Sequence, residues 1–198
     1  MSNTSATGGY LTPDVATPDE DQALRRFLHD VLAGVTGLDN GLVRPAWQVN
    51  PPKTPDLDVD WLGFSVSEQR GDDAPFHEQH DDGSATLVRH EEVDVHCVFY
   101  GPGCMNFANR LRDGLYLSQN REALRSVGAG VVGFSPTVHS PELAGERFVD
   151  RSDVTMTLRR EVKRDYPVLH FVGAYGEIDA NRAGTTLIRE WSAGEARI

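Results

Sequence analysis

Two cysteines, Cys97 and Cys104, are all that this chain of 198 residues carries. They are not spaced as a C-x-x-C pair and make no disulfide framework. That excludes a stapled secreted module and leaves a reducing cytoplasm, with two buried thiols, as the expectation. The opening residues, MSNTSATGGYLTP, lack both a basic n-region and an apolar h-region, and no apolar run approaches the length of a membrane span. The reading is of a protein neither exported by a signal peptide nor embedded in a membrane. Basic residues are also scarce: 19 Lys and Arg stand against 30 Asp and Glu, a formal charge of −11. A general DNA or RNA binder neutralises phosphates with a basic face, so that class is disfavoured. An acidic protein that lets DNA pass without holding it is not. Catalytic signatures are missing as well. There is no G-x-S-x-G elbow, no glycine pattern of a phosphate loop and no evident base for either cysteine. The expectation is a non-enzymatic protein with no cofactor and no bound metal.

What is present is a patterned chain whose 39% hydrophobic content suffices for one core. Residues 1–16, rich in Ser, Thr, Gly and Pro, read as an extended arm that orders only against something else. A helix is expected to begin with Thr17 as N-cap, Pro18 in the first turn and Glu20 three residues after the cap. Leu24, Phe27, Leu28, Val31, Leu32 and Val35 follow at helical spacing, and Gly34 and Gly37 mark the end. Residues 37–55 carry four prolines around Trp47 and read as an extended strip, which either folds that Trp back on the domain or offers it to a neighbour. Strands are expected over 58–67, 85–100, 130–138, 147–162 and 167–178, with a polar loop at 70–84. Helices are expected over 104–117, with Met105 on the buried side, and over 120–127, capped by Asn120 and closed by Gly128. No strand–helix–strand alternation appears. The fold class is therefore α+β: a mainly antiparallel sheet with a long hairpin, flanked by two or three helices. The organisation reads as arm 1–16, a single domain 17–178 and a tail 179–198.

The stretch RHEEVDVHCVFYG supplies the first candidate site. On a strand, His90, Glu92, Asp94 and His96 share one face, while Val93, Val95, Cys97 and Phe99 share the other. Alternate positions lie about 7 Å apart, so two of these side chains could share a metal only with ligands from another strand. The plainer reading is a charged face turned to solvent, a channel or a subunit partner. His77, His80, Asp81 and Asp82 form a second cluster, in a loop without the four placed ligands of structural zinc. Asp153, Glu161 and Lys163 imitate the spacing of certain metal-dependent nucleases, in which two carboxylates hold Mg²⁺ and a Lys assists water. This is the alternative enzymatic reading. Arg159, Arg160, Lys163 and Arg164 alternate across a strand and suit a protected edge or half of an interfacial charge pattern.

Several separate stretches, in order, resemble the neck terminator or tail terminator proteins of tailed bacteriophages. They are GGYLTP (8–13), GVTGLDNGLVRPAWQVNPPKTP (34–55), the Trp61 strand, RHEEVDVHCVFYGPG (89–103), ANRLRDGLYLSQNREALRSVG (108–128), SPEL (140–143) and RFVDRSDVTMTLRREVKRDYPVL (147–169). The resemblance implies a structural virion protein at the head-tail junction, assembled in the host cytoplasm. It implies a ring, usually six-fold, that caps the tail tube, ends tail growth and joins tail to neck, with a channel for DNA. The implied partners are further copies of the chain, the tail tube protein and the neck or connector proteins, with the sheath as a further candidate. A connector or stopper is the alternative within the same setting. Trp47, Arg44, His90, Glu92, Asp94, His96, Arg159 and Arg160 are the expected subunit or partner contacts. Acidic residues are expected to face the lumen, where they would repel phosphate. The 70–84 loop and the tail after 179 fall outside the resemblance.

Overall fold

The computed structural model describes residues 3–4, 6–13, 20–80, 84–168, 173–182 and 185–194, the last two stretches as backbone only. Helix α1 (Asp21–Thr36) comes first. Its apolar positions Leu24, Leu28, Val31 and Leu32 are buried on one face, and Gly37 ends it in the left-handed region at φ 74°, with its N–H on the Ala33 carbonyl. The start differs from the expectation. Glu20 has extended φ and ψ, so it caps the helix from outside rather than sitting in its first turn, and Thr17 and Pro18 lie outside the described residues.

A short strand β1 (Val43–Pro45) follows, then β2 (Trp61–Gly71), β3 (Phe76–Gln79) and β4 (Ala85–Tyr100). Helices α2 (Cys104–Gly114) and α3 (Ser118–Arg125) lead into β5 (Ala129–Phe134), β6 (Val138–His139), β7 (Glu142–Ala144), β8 (Arg147–Val149) and β9 (Arg151–Tyr166). Two more strands, β10 (Gly173–Arg182) and β11 (Thr185–Gly194), pair with each other. The expected class holds. The main sheet runs β1-β2-β4-β9-β5, and all its pairings are antiparallel except β1 with β2. β4 and β9, each of 16 residues, pair along their whole lengths from Ala85↔Tyr166 to Tyr100↔Arg151.

Alternation along these two strands decides where the core lies. Val93, Val95, Cys97 and Phe99 of β4 and Val154, Met156 and Leu158 of β9 are buried, and Leu28, Leu32, Ala108, Leu111, Leu115 and Leu124 cover them from the helical side. Fully burying one such side chain contributes roughly 1.5–3 kcal/mol. Both thiols belong to this layer: burial pushes the Cys97 thiol up to about 12, and Cys104 Sγ lies 3.2 Å from Ser152 Oγ. Met105, by contrast, is exposed, one step round the helix from the buried Cys104.

The corner between β4 and α2 fixes the sheet against the helices. Gly103 N–H donates to Asp60 Oδ1 at 2.6 Å. Gly101 adopts φ 101°, and a Cβ there would meet Asp60 Oδ1 at 2.6 Å and the Val59 carbonyl at 2.8 Å. Gly101→Ala should therefore destabilise the fold by about 2 kcal/mol or more, through a left-handed backbone and an overpacked contact together. Urea denaturation with an unchanged m-value and a lowered midpoint is the expected record; an unchanged midpoint would refute the steric account.

Other expectations are revised. Asn120 does not cap α3, which begins at Ser118; its side-chain amide donates to the Gly114 carbonyl instead. The 70–84 loop holds β3, paired to β4. The boundary at 178 falls inside β10, and residues assigned to the tail form β11. Arg159 and Arg160 protect no edge, since that stretch of β9 lies between β4 and β5, whereas Lys163 and Arg164 lie beyond the end of the β5 pairing.

Candidate functional site

The helices cover one face of the sheet and leave the other face polar. His90, Glu92, Asp94 and His96 lie along β4 on this open face, as the alternation predicts, flanked by Ser65, Glu68 and Arg70 of β2 and by Thr155, Thr157, Arg159 and Glu161 of β9. The charges largely satisfy one another. Arg70 lies 2.9 Å from Glu68, 3.2 Å from Asp94 and 3.6 Å from Glu92, while Thr157 donates to Asp94 at 2.7 Å. His90 faces Asp72 at 3.4 Å and Glu161 at 3.9 Å. Arg70 is the hub of this network and was not singled out from sequence. The expected strand ended at residue 67, and unbroken alternation from Leu62 and Phe64 would turn Arg70 to the buried face; a bulge between Val66 and Glu68 brings it to the open one.

Among the described residues no group of three or more His, Cys, Asp or Glu side chains converges on a metal position. His77 and His80 lie at β3, with His80 Nε2 2.7 Å from Thr86 Oγ1; Asp81 and Asp82 lie outside the described residues. The nuclease-like set is overturned by distance. Asp153 and Glu161 are eight residues apart on one continuous strand, about 27 Å at strand rise, too far to share an ion. Asp153 is paired with Arg151 at 2.9 Å, and Glu161 pairs with Lys163 at 2.8 Å, which raises the Lys163 pKa above its ordinary value.

The two neighbouring arginines part company. Arg159 is exposed on the open face, whereas Arg160 turns to the other side and is buried, its Nε 2.6 Å from the buried Glu91 carboxylate. Arg89, at 2.9 Å, and Gln69 also reach Glu91.

Trp47 settles the question its strip raised, because it is 81% exposed rather than folded back. The surrounding backbone is nonetheless fixed. Ala46 N–H donates to the Phe64 carbonyl at 2.7 Å and Gln48 Nε2 to the Pro45 carbonyl at 2.8 Å. Arg44 donates to the carbonyls of Gly41 and Lys53, at 2.9 and 2.7 Å, and stands over the Trp61 ring. Trp47 itself has φ 53°, a costly conformation for an aromatic residue that persists only where its surroundings impose it. Beneath the strip lies a groove of about 430 Å³, walled by Pro51, Pro52, His96 and the stacked rings of Trp61 and Tyr100.

Further apolar side chains are exposed elsewhere. Val49 adjoins Trp47 at the β1 edge; Val132 lies on β5, at the opposite edge, and Tyr116, next to Leu117 in sequence, has its ring 6.5 Å from that of Phe134 at the end of β5; Leu143 and Phe148 face each other across the β7–β8 hairpin. No periodicity identified these, since exposure of an apolar residue on a short strand leaves no pattern in the sequence.

Exposed apolar side chains thus stand at opposite edges of one sheet. Comparison with curated proteins gives no match. Comparison with family models matches residues 22–181 to the phage neck terminator proteins, a span that takes in both sheet edges, the open face and the Trp47 strip. The chain belongs to the phage neck terminator protein family, whose members are structural proteins of the virion neck.

Proposed function

We propose that the chain forms a closed ring, six-fold in its symmetry, that caps the tail tube, ends tail growth and joins the tail to the neck while leaving a channel for DNA. The observation that carries this reading is the exposure of apolar side chains at both edges of one sheet, Trp47 and Val49 at one and Val132 at the other. Two different surfaces on one subunit make a head-to-tail contact, and such contacts close into rings when the rotation permits. Family membership supports partners among the tail and neck proteins; the six-fold order and the tube, connector and sheath contacts are part of this proposal. Arg44, Trp47, His90, Glu92, Asp94, His96 and Arg159 are the proposed contact residues. Arg160 supports them from below through Glu91. A net charge of −11 per subunit suits a lumen that repels phosphate.

Electron microscopy of the concentrated protein, with mass measurement, tests the reading. Closed rings with a central hole are expected. Deleting residues 1–16 should weaken assembly while leaving the unfolding midpoint of the monomer unchanged, because none of the arm's described residues belongs to the core. Monomers that also fail to bind isolated tail tubes would overturn the proposal.

A further inference from the structure

β5 is an edge strand without the usual protection. Its sequence, AGVVGF, carries no charge and no proline, whereas the opposite edge is blunted by a three-residue β1 that ends in Pro45. Uncharged, β-branched edges template pairing with other chains, and proteins that leave them bare in one state cover them in another. Glu161 N–H donates to the Gly128 carbonyl at 3.1 Å, so antiparallel alternation turns the backbone N–H and C=O of Gly130 towards β9 and leaves those of Ala129 and Val131 pointing to the outer edge. Among the described residues no strand pairs with that outer side. A bulge between Val131 and Gly133 sets Val132 out into solvent.

The glycines of β5 make the same point independently. A Cβ at Gly130 or Gly133 would meet no atom within 4 Å, and neither residue has positive φ. Among the described residues nothing therefore requires glycine at these positions. Glycine in a strand commonly marks close approach by another backbone.

We propose that Gly8–Pro13 of a second copy adds as a strand to the outer edge of β5, an inference that rests on the ring reading above. The six residues of GGYLTP match the six of β5. Residues 1–13 contain no charged side chain, so the arm itself brings no charge to be desolvated at this edge. The hydrogen bonds described for the arm close on the arm itself, from Thr7 and Gly8 to Thr4 and from Asn3 to Tyr10, and all but Thr4 and Leu11 of its described residues are exposed. The other separate element, the β10–β11 ribbon, carries Glu177, Asp179, Arg182, Arg189 and Glu190 in its strands and suits this edge less.

Disulfide trapping in the full-length protein tests the assignment, and the burial of Cys97 and Cys104 keeps the background low. Val132→Cys is combined in turn with Gly9→Cys, Tyr10→Cys, Leu11→Cys and Thr12→Cys, and each sample is checked for rings by electron microscopy before oxidation. A shift from monomer to dimer and higher species on non-reducing gels is expected at two alternate arm positions and not at the two between, the period of an added strand. Equal yields at all four positions, or links within one chain only, would overturn the proposal. So would efficient trapping of Val132→Cys by Trp191→Cys, which would assign the edge to the β10–β11 ribbon. Rings without any arm link would remove this inference and leave the ring standing; where only monomers form, the trapping is repeated on isolated tail tubes, and monomers that also fail to bind those tubes would remove both.

Discussion

Arg160→Ala should lower the stability of the isolated subunit by about 3 kcal/mol, because it strands a buried carboxylate. Glu91 and Arg160 face each other on β4 and β9, both side chains less than one-tenth exposed, with Nε to Oε1 at 2.6 Å. Arg89 and Gln69 still reach Glu91 after the change, so the cost belongs at the lower end of the range for breaking a buried pair. For a chain of this length the loss corresponds to a fall in Tm of roughly 6–12 °C. The double replacement Glu91→Leu with Arg160→Met should recover most of it, since a packed apolar pair removes both desolvation costs. Thermal unfolding of dilute monomer separates this account from a direct role in assembly. A single variant within about 1 kcal/mol of the parent would show that the pair contributes little to folding.

That pair also explains what the sequence could and could not say about this region. Alternation over residues 85–100 located β4 to the residue and assigned its two faces, because half-buried antiparallel strands write their burial with a period of two. The same alternation put Glu91 on the apolar face, an anomaly that made sense only once Arg160 was seen across the ladder, since strand pairing joins residues 69 positions apart. Short elements were illegible for a different reason. β3 is exposed along all four residues, and β7 and β8 are nearly so, so neither burial nor period marks them. β1 is three residues long and ends in proline. At the start of α1, the Thr-Pro-Asp-Glu pattern was a locally sound capping signal, yet the described helix begins one residue beyond it. Of the candidate site, the shared face of His90, Glu92, Asp94 and His96 was visible in advance. The Arg70 hub and the bare β5 edge were not, because one depends on a bulge and the other on which strand ends the sheet.

Trp47→Ala should leave the folded subunit intact and dissolve the assembly. A side chain 81% exposed contributes little to the stability of its own domain, and replacement of such a residue usually stays within about 0.5 kcal/mol. At a contact between subunits the balance reverses. Truncation of a buried aromatic anchor costs about 2 kcal/mol or more, a factor of about 30 in the dissociation constant for each contact. The backbone hydrogen bonds at Ala46, the Gln48 amide and both anchoring bonds of Arg44 already hold the strip, so the entropy of presenting Trp47 is largely lost before association. The left-handed φ of Trp47 points the same way: a strained aromatic kept in solvent serves nothing inside its own subunit. Sedimentation over a concentration series, beside thermal unfolding, decides the matter. Parental unfolding with rings lost until the concentration is raised by one or more orders of magnitude is the expected pair of results. Rings that persist at the parental concentration would mean that Trp47 faces another component of the neck, and binding of the variant ring to tail tubes would then register its loss.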